Sequence, residues 1–164
     1  LKYQETDVLQ RFADLYNYKH GAKLNVGGYG GWIILRFRHE AGGGSKLYKI
    51  KYFHGAGGGG VITKGVIQLQ RMNAQIHGAN CIWQGHVHEL YNMYHSVETL
   101  NAHYKIELRD ILHIRTATYK EEYGDGFGDF HVERGRPVKP LGGYLLNIEV
   151  LKKKLIATPT PIKS

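Results

Sequence analysis

Residues 79–88 read ANCIWQGHVH, a short apolar run followed by a glycine and two histidines. The apolar run is typical of a buried strand. Before it, Thr63–His77 has the apolar spacing of a helix, and Gly78 is a suitable C-terminal stop for that helix. Lys46–Phe53 alternates apolar and polar residues and predicts the preceding strand. Strand, helix and strand together predict an α/β unit, in which ligands bind at the carboxyl ends of the strands.

The flanking segments extend this unit in both directions. Thr6–Tyr18 has helical spacing, with Thr6 as the expected N-cap, and Trp32–Phe37 predicts a strand antiparallel to Lys46–Phe53. Asp110 predicts a tight turn in a β-rich second half. The strands expected there are Tyr91–Tyr94, His103–Leu108, Ile111–Thr116 and Tyr144–Val150, and Glu121–Arg136 is expected to be a long loop.

Composition limits the class of protein. The chain has 164 residues, 42% hydrophobic and 22% charged, which excludes wholesale disorder and suits one domain. We assign residues 1–150 to that domain, of mixed α/β class, and 151–164 to a tail. No apolar run approaches the ~20 residues of a membrane span. Cys81 is the only cysteine, which excludes an internal disulfide framework and favours a reducing, cytoplasmic compartment.

Three histidines follow predicted strands of the α/β unit. His54 ends the first strand, whereas His86 and His88 follow the second. Neutral imidazole is a common ligand of transition metals. A His-x-His pair alone is also common on protein surfaces, but the third histidine at the same sheet edge favours a metal site.

A glycine-rich loop, residues 55–60, follows His54. It lacks the Gly-Lys-Ser/Thr ending of a P-loop and the acidic residue of a dinucleotide fingerprint. It could cradle phosphate with its N–H groups or serve as a flexible loop. We favour a loop in which Gly55, Gly57 and Gly58 let substrate approach the metals closely.

Three segments together carry a family resemblance: Gly31–Phe37, His54–Gly60 and Gly85–His88. In this order and spacing they resemble the C-terminal half of calcineurin-like metallophosphoesterases, most closely a phage and bacterial subgroup. The resemblance implies half of a β-sandwich flanked by helices. It also implies a phosphomonoester or phosphodiester substrate, such as a nucleotide or nucleic acid, in the cytoplasm of a bacterium or phage-infected host cell.

The resemblance also implies a ligand set. His54 and His86 would ligate one divalent ion and His88 a second, the metals being Mn, Fe, Zn, Ni or Mg. The bridging carboxylate and the general acid of the family would precede Leu1, so no catalytic residue is expected within the chain. We therefore expect little phosphoesterase activity from these 164 residues alone, and a missing N-terminal half or a partner chain that completes the site.

Two further expectations concern association. A half-sandwich would expose a sheet edge and apolar surface, which predicts self-association. The alternative function is a non-catalytic module that binds a polyanion or a protein, consistent with the net charge of +8. No membrane partner is expected.

The remaining candidates favour structural roles. Residues 124–131 contain Asp125 and Asp129 in an Asp-x-His and two Gly-Asp pairs, but in the reverse of the family order, so we expect solvated carboxylates. Cys81 is expected to pack in the core. The other histidines are expected at the surface or in packing: His20, His39, His77, His95, His103 and His113.

Overall fold

The computed structural model describes residues 2–3, 6–38, 44–57, 60, 62–121, 123, 130–151 and 154–163. His39, Gly58 and residues 124–129, for which predictions are made above, lie outside the described residues. The chain divides into two compact units, Leu1–Gly31 and Trp32–Ser164. No helix in the described ranges is both long enough and apolar enough to cross a membrane.

The first unit contains strands β1 (Lys2–Tyr3) and β2 (Thr6–Asp7) and helix α1 (Val8–His20). The predicted N-cap at Thr6 is wrong by one residue, because the Asp7 carboxylate accepts the N–H groups of Leu9 and Gln10 at 3.1 Å. Gly21, at φ 60°, ends the helix in the left-handed conformation. Four apolar residues of α1 are each more than half exposed: Val8, Leu9, Phe12 and Leu15.

A five-stranded sheet forms most of the second unit. Its strands are β3 (Gly30–Arg38), β4 (Ser45–Phe53), β5 (Cys81–Gln84), β6 (Tyr91–Leu100) and β7 (Ile106–Arg115), in the order β3-β4-β5-β7-β6. Helix α2 (Val66–Gln75) connects β4 to β5. Strand β4 is parallel to β5 and β5 to β7, whereas β6 is antiparallel to β7. The predicted α/β unit is confirmed, and the described chain is mixed α/β with most of its regular structure in strands.

The turn predicted at Asp110 is wrong. Strand β7 continues through this residue, and the Asp110 carboxylate accepts a hydrogen bond from Ser96 on β6. The reversal lies instead at residues 101–105, where the Asn101 side chain accepts the N–H groups of His103 and Lys105 at 2.8 and 3.1 Å. An Asn side chain that bonds nearby backbone N–H groups is a stronger turn signal than an Arg-Asp pair in an exposed strand.

Buried side chains lie on both faces of the sheet. Cys81 on β5 packs with Tyr48, Ile50, Leu112 and Ile114. On the opposite face Ala79, Ile82 and Ile111 are buried, with Met72 and Ile76 from α2 and its C-terminal cap packed against them. The predicted packing role of Cys81 is confirmed by its complete burial, which raises its pKa to about 12.

The C-terminal part contains helix α3 (Phe130–Glu133) and the hairpin strands β8 (Gly142–Leu151) and β9 (Lys154–Lys163). The residues assigned to a tail from 151 onward thus contribute β9, which pairs antiparallel with β8 over ten residue pairs. A Cβ at Gly142 would lie 2.0 Å from the Ile162 carbonyl oxygen, so only glycine lets the two strands meet there.

Candidate functional site

Strands β4 and β5 bring two of the predicted histidines to one edge of the sheet. The strands are parallel and pair in register, Phe53 opposite Gln84, so both end at the same level. The Gly85 N–H donates to the His54 carbonyl at 3.2 Å. Because both strands end at this edge of the sheet, the residues that follow them are neighbours.

His54 and His86 lie side by side at this edge. The Nδ1 atom of His86 is 3.2 Å from Nε2 of His54, and the ring centroids are 5.1 Å apart at an interplanar angle of 69°. Both side chains are exposed. Two nitrogens bound at about 2.0–2.1 Å to one tetrahedral ion are about 3.3 Å apart. The pair therefore has the spacing to hold one ion between its two nitrogens, and the same spacing suits an N–H···N hydrogen bond when no ion is bound.

The backbone bends sharply through the two histidines after β5. His86 and His88 have φ values of 70° and 58°, whereas Val87 between them is buried and donates its N–H to the Gly85 carbonyl at 2.9 Å. Left-handed conformation at two non-glycine residues costs about 1–3 kcal/mol each and is concentrated at functional sites. The backbone thus turns sharply at both histidines of the His-x-His pair.

His88 does not join the other two histidines in a ligand group. Within the described part of the chain, no three His, Cys, Asp or Glu side chains are grouped so that they could hold a metal ion. The structure thus brings together His54 and His86, and ligation by His88 stays a prediction.

Gly55 allows the two histidine-bearing segments to approach. It is buried, with φ 104°, and a Cβ built on it would lie 2.9 Å from the Cβ of His86 and 3.0 Å from the Gly85 oxygen. No side chain fits there without displacing backbone. Gly57, at φ 75°, is less constrained, since its Cβ would meet only the movable end of Gln68 at 2.9 Å.

Arg115, the last residue of β7, holds the loop at this edge of the sheet in place. No role was predicted for it from the sequence. Its side chain is buried, its Nη1 donates to the Gly85 carbonyl at 2.9 Å and its Nη2 to the Gly65 carbonyl at 3.3 Å. It thereby joins the residue before His86 to the residue before α2. The available signal was an arginine at the end of an apolar strand, where a buried charge needs carbonyl or anionic partners.

Arg115 belongs to a layer of buried polar side chains beneath α2. Gln84 and His113 lie in this layer, and neither His113 ring nitrogen has a hydrogen-bond partner among the described residues. Burial, with His95 and Arg115 adding positive charge nearby, lowers the pKa of His113 to about 4. Of the two roles expected for His113, surface or packing, the structure shows packing, and its imidazole is neutral at pH 7.

Comparison with known proteins gives no match to a protein-family model, to a curated protein or to a solved structure. The functional evidence is therefore the paired histidines, the glycine that lets them meet and the buried arginine that holds their loop.

Proposed function

We propose that this chain carries part of the metal site of a cytoplasmic, metal-dependent phosphoesterase of the calcineurin-like type, in which His54 and His86 ligate one divalent ion. The 3.2 Å approach of their ring nitrogens at the ends of two parallel strands carries the proposal. Two imidazoles favour transition ions such as Zn, Fe or Ni over Mg, which prefers oxygen ligands. In the family arrangement, His88 ligates a second ion.

The residues of the chain have distinct tasks in this proposal. His54 and His86 bind as neutral imidazoles, so they leave the full charge of the ion to act on an anionic phosphate. Gly55 lets the two histidine-bearing segments lie close together, and Arg115 fixes the carbonyl next to His86. A divalent ion bound at such a site supplies Lewis acidity toward a phosphoryl oxygen.

Two neutral ligands hold a divalent ion weakly. Carboxylates are needed to offset the repulsion of two ions about 3.5–4 Å apart. We propose that these carboxylates and the general acid come from a part of the protein outside the 164 residues or from a partner chain. The 164 residues alone are then expected to hydrolyse phosphate esters poorly.

The test is a cobalt titration, monitored by absorption spectroscopy and calorimetry. Wild type should bind one Co²⁺ through imidazole, and His54→Gln or His86→Gln should weaken binding by about tenfold or more. His103→Gln, in the turn at residues 101–105, is the matched control and should bind like wild type. Equal affinity in wild type and the His54→Gln/His86→Gln double variant would exclude the site.

The second candidate function is a binding module without catalysis. It is favoured by the net charge of +8 and by the exposed apolar side chains of Trp32, Ile33 and Ile34 on β3, an edge strand. Unpaired edge strands of this kind associate with other chains. Sedimentation velocity should show association that Ile34→Lys weakens. Metal-dependent phosphodiester hydrolysis after addition of the completing segment would decide for the enzyme, whereas association with no metal binding would favour the module.

A further inference from the structure

A second feature of the same unit is a cleft of about 390 Å³, hereafter the lysine cleft. Lys64, Lys139 and Lys163 line it together with a single acidic residue, Glu89. The rest of its wall is apolar, formed by Leu90, Val138 and two prolines. Its volume falls in the range of small-molecule sites, which is about 300–1,000 Å³.

The charges in the cleft are unbalanced. Lys139 and Glu89 form an ion pair, with side chains only 16% and 10% exposed. Within the described part of the chain, the structure records no ion pair for Lys64 or Lys163, and both are exposed. Three cations against one anion favour an anionic ligand, and lysine ammonium groups are common phosphate binders.

Two residues of the cleft belong to segments that meet next to the histidine-bearing loop. A Cβ at Gly65 would lie 3.6 Å from both methyl groups of Val87, so the turn before α2 contacts the loop between His86 and His88. Lys64 precedes Gly65 in that turn, and Glu89 follows His88 in that loop. The Lys64 N–H donates to the Gly60 carbonyl at 2.8 Å, which ties this lysine to the end of the glycine-rich loop.

We propose that the lysine cleft binds a nucleotide, with its phosphates at Lys64 and Lys163 and its base or sugar against Leu90 and Val138. The mixed wall carries this choice, because inorganic phosphate would use the lysines but gain nothing from the apolar side. The claim that this nucleotide is also the substrate rests on the proposed function of His54 and His86. Binding itself needs no metal.

The experiment is a fluorescence titration with a methylanthraniloyl-labelled ADP in the presence of EDTA. Lys64→Gln/Lys163→Gln should weaken binding about tenfold or more, since two charge-assisted contacts are lost. The control, Lys23→Gln/Lys105→Gln, removes the same charge from exposed positions outside the cleft and should change affinity less than about twofold. Equal weakening in both double variants, or no binding by wild type, would overturn the proposal.

Two further variants test the chemistry of the cleft. Glu89→Gln releases Lys139 and should tighten binding about threefold or more, a gain that misfolding does not produce. Val138→Ala should weaken binding of the labelled nucleotide but leave binding of pyrophosphate, measured by competition, unchanged. If pyrophosphate competes as well as unlabelled ADP and Val138→Ala has no effect, the ligand is not a nucleotide.

The two proposals fail separately. EDTA removes divalent ions, so nucleotide binding there reports only on the lysine cleft. The cobalt titration without nucleotide reports only on His54 and His86. If the wild-type protein binds nucleotide but no cobalt, the proposed phosphoesterase site is therefore overturned and the proposed lysine cleft is not.

Discussion

Replacing Gly55 with alanine would place a methyl group between the two segments that carry His54 and His86. The new Cβ would lie 2.9 Å from the Cβ of His86 and 3.0 Å from the Gly85 oxygen. Both distances are below normal van der Waals contact, and both neighbours are atoms that rotamer changes cannot move away. The segments must separate, and the imidazole pair must separate with them.

Two costs contribute to the expected loss of stability. An alanine at φ 104° is strained by about 1–3 kcal/mol. Overpacking against His86 and Gly85 adds about 1–3 kcal/mol. Gly78→Ala is the matched control, because Gly78 has φ 84° but nothing lies within 4 Å of its added Cβ. The control should lose about 1–2 kcal/mol, from backbone strain alone.

Urea denaturation of the two variants measures the difference. The reduced conformational entropy of the unfolded chain is common to both variants and cancels. We expect Gly55→Ala to be about 1–3 kcal/mol less stable than Gly78→Ala, and to bind cobalt at least about tenfold more weakly under conditions where both are folded. Equal stability and equal cobalt affinity in the two variants would refute the close approach at Gly55.

Three other predictions concern buried groups. Arg115→Met removes two charge-assisted hydrogen bonds, to the Gly85 and Gly65 carbonyls, and leaves each carbonyl only its backbone donor. It should lower the free energy of unfolding by about 2–4 kcal/mol and weaken cobalt binding, with partial rescue by Arg115→Lys, whereas unchanged urea curves would contradict this. The pKa of His113 is about 4 in the folded chain against 6.5 for an unperturbed imidazole, so as the pH falls the unfolded chain is protonated before the folded chain, and stability should fall by at most about 3 kcal/mol from pH 6.5 to 4. His113→Leu should flatten this pH dependence in urea denaturation, and an unchanged slope would show that another group causes it. Cys81 is fully buried with a pKa of about 12, so iodoacetamide at pH 8 should label it only as the protein unfolds. Mass spectrometry measures the labelling, and rapid labelling of the native protein would show that the thiol is accessible.

Local pattern was sufficient for much of the fold. The helix–strand succession from Lys46 to Gln84 depends on hydrophobic periodicity and on stop residues such as Gly78, which act within a few neighbours. The position of His54 and His86 at strand ends follows from the same pattern. The turn at Asp110 was misplaced because two turn signals lay within ten residues, and the Asn101 side chain made more backbone hydrogen bonds.

Tertiary structure decided the contacts that define the sites. Whether His54 meets His86 depends on the register of β4 against β5, and Gly55 is needed only because the Gly85–His86 backbone passes next to it. Arg115 reaches carbonyls 30 and 50 residues away in sequence, and Glu89 pairs with Lys139 at a separation of 50 residues.

The physical reason for this division is the distance along the chain over which each kind of interaction acts. Backbone conformation responds to side chains a few positions away, so the amino-acid sequence by itself predicts strands, helices and the histidines that end them. Hydrogen bonds, ion pairs and close backbone approaches depend on which segments pack together. In this chain parallel pairing of β4, β5 and β7 places Arg115 beneath Gly85, and the packing of residues 137–140 near Glu89 and Lys64 forms the lysine cleft.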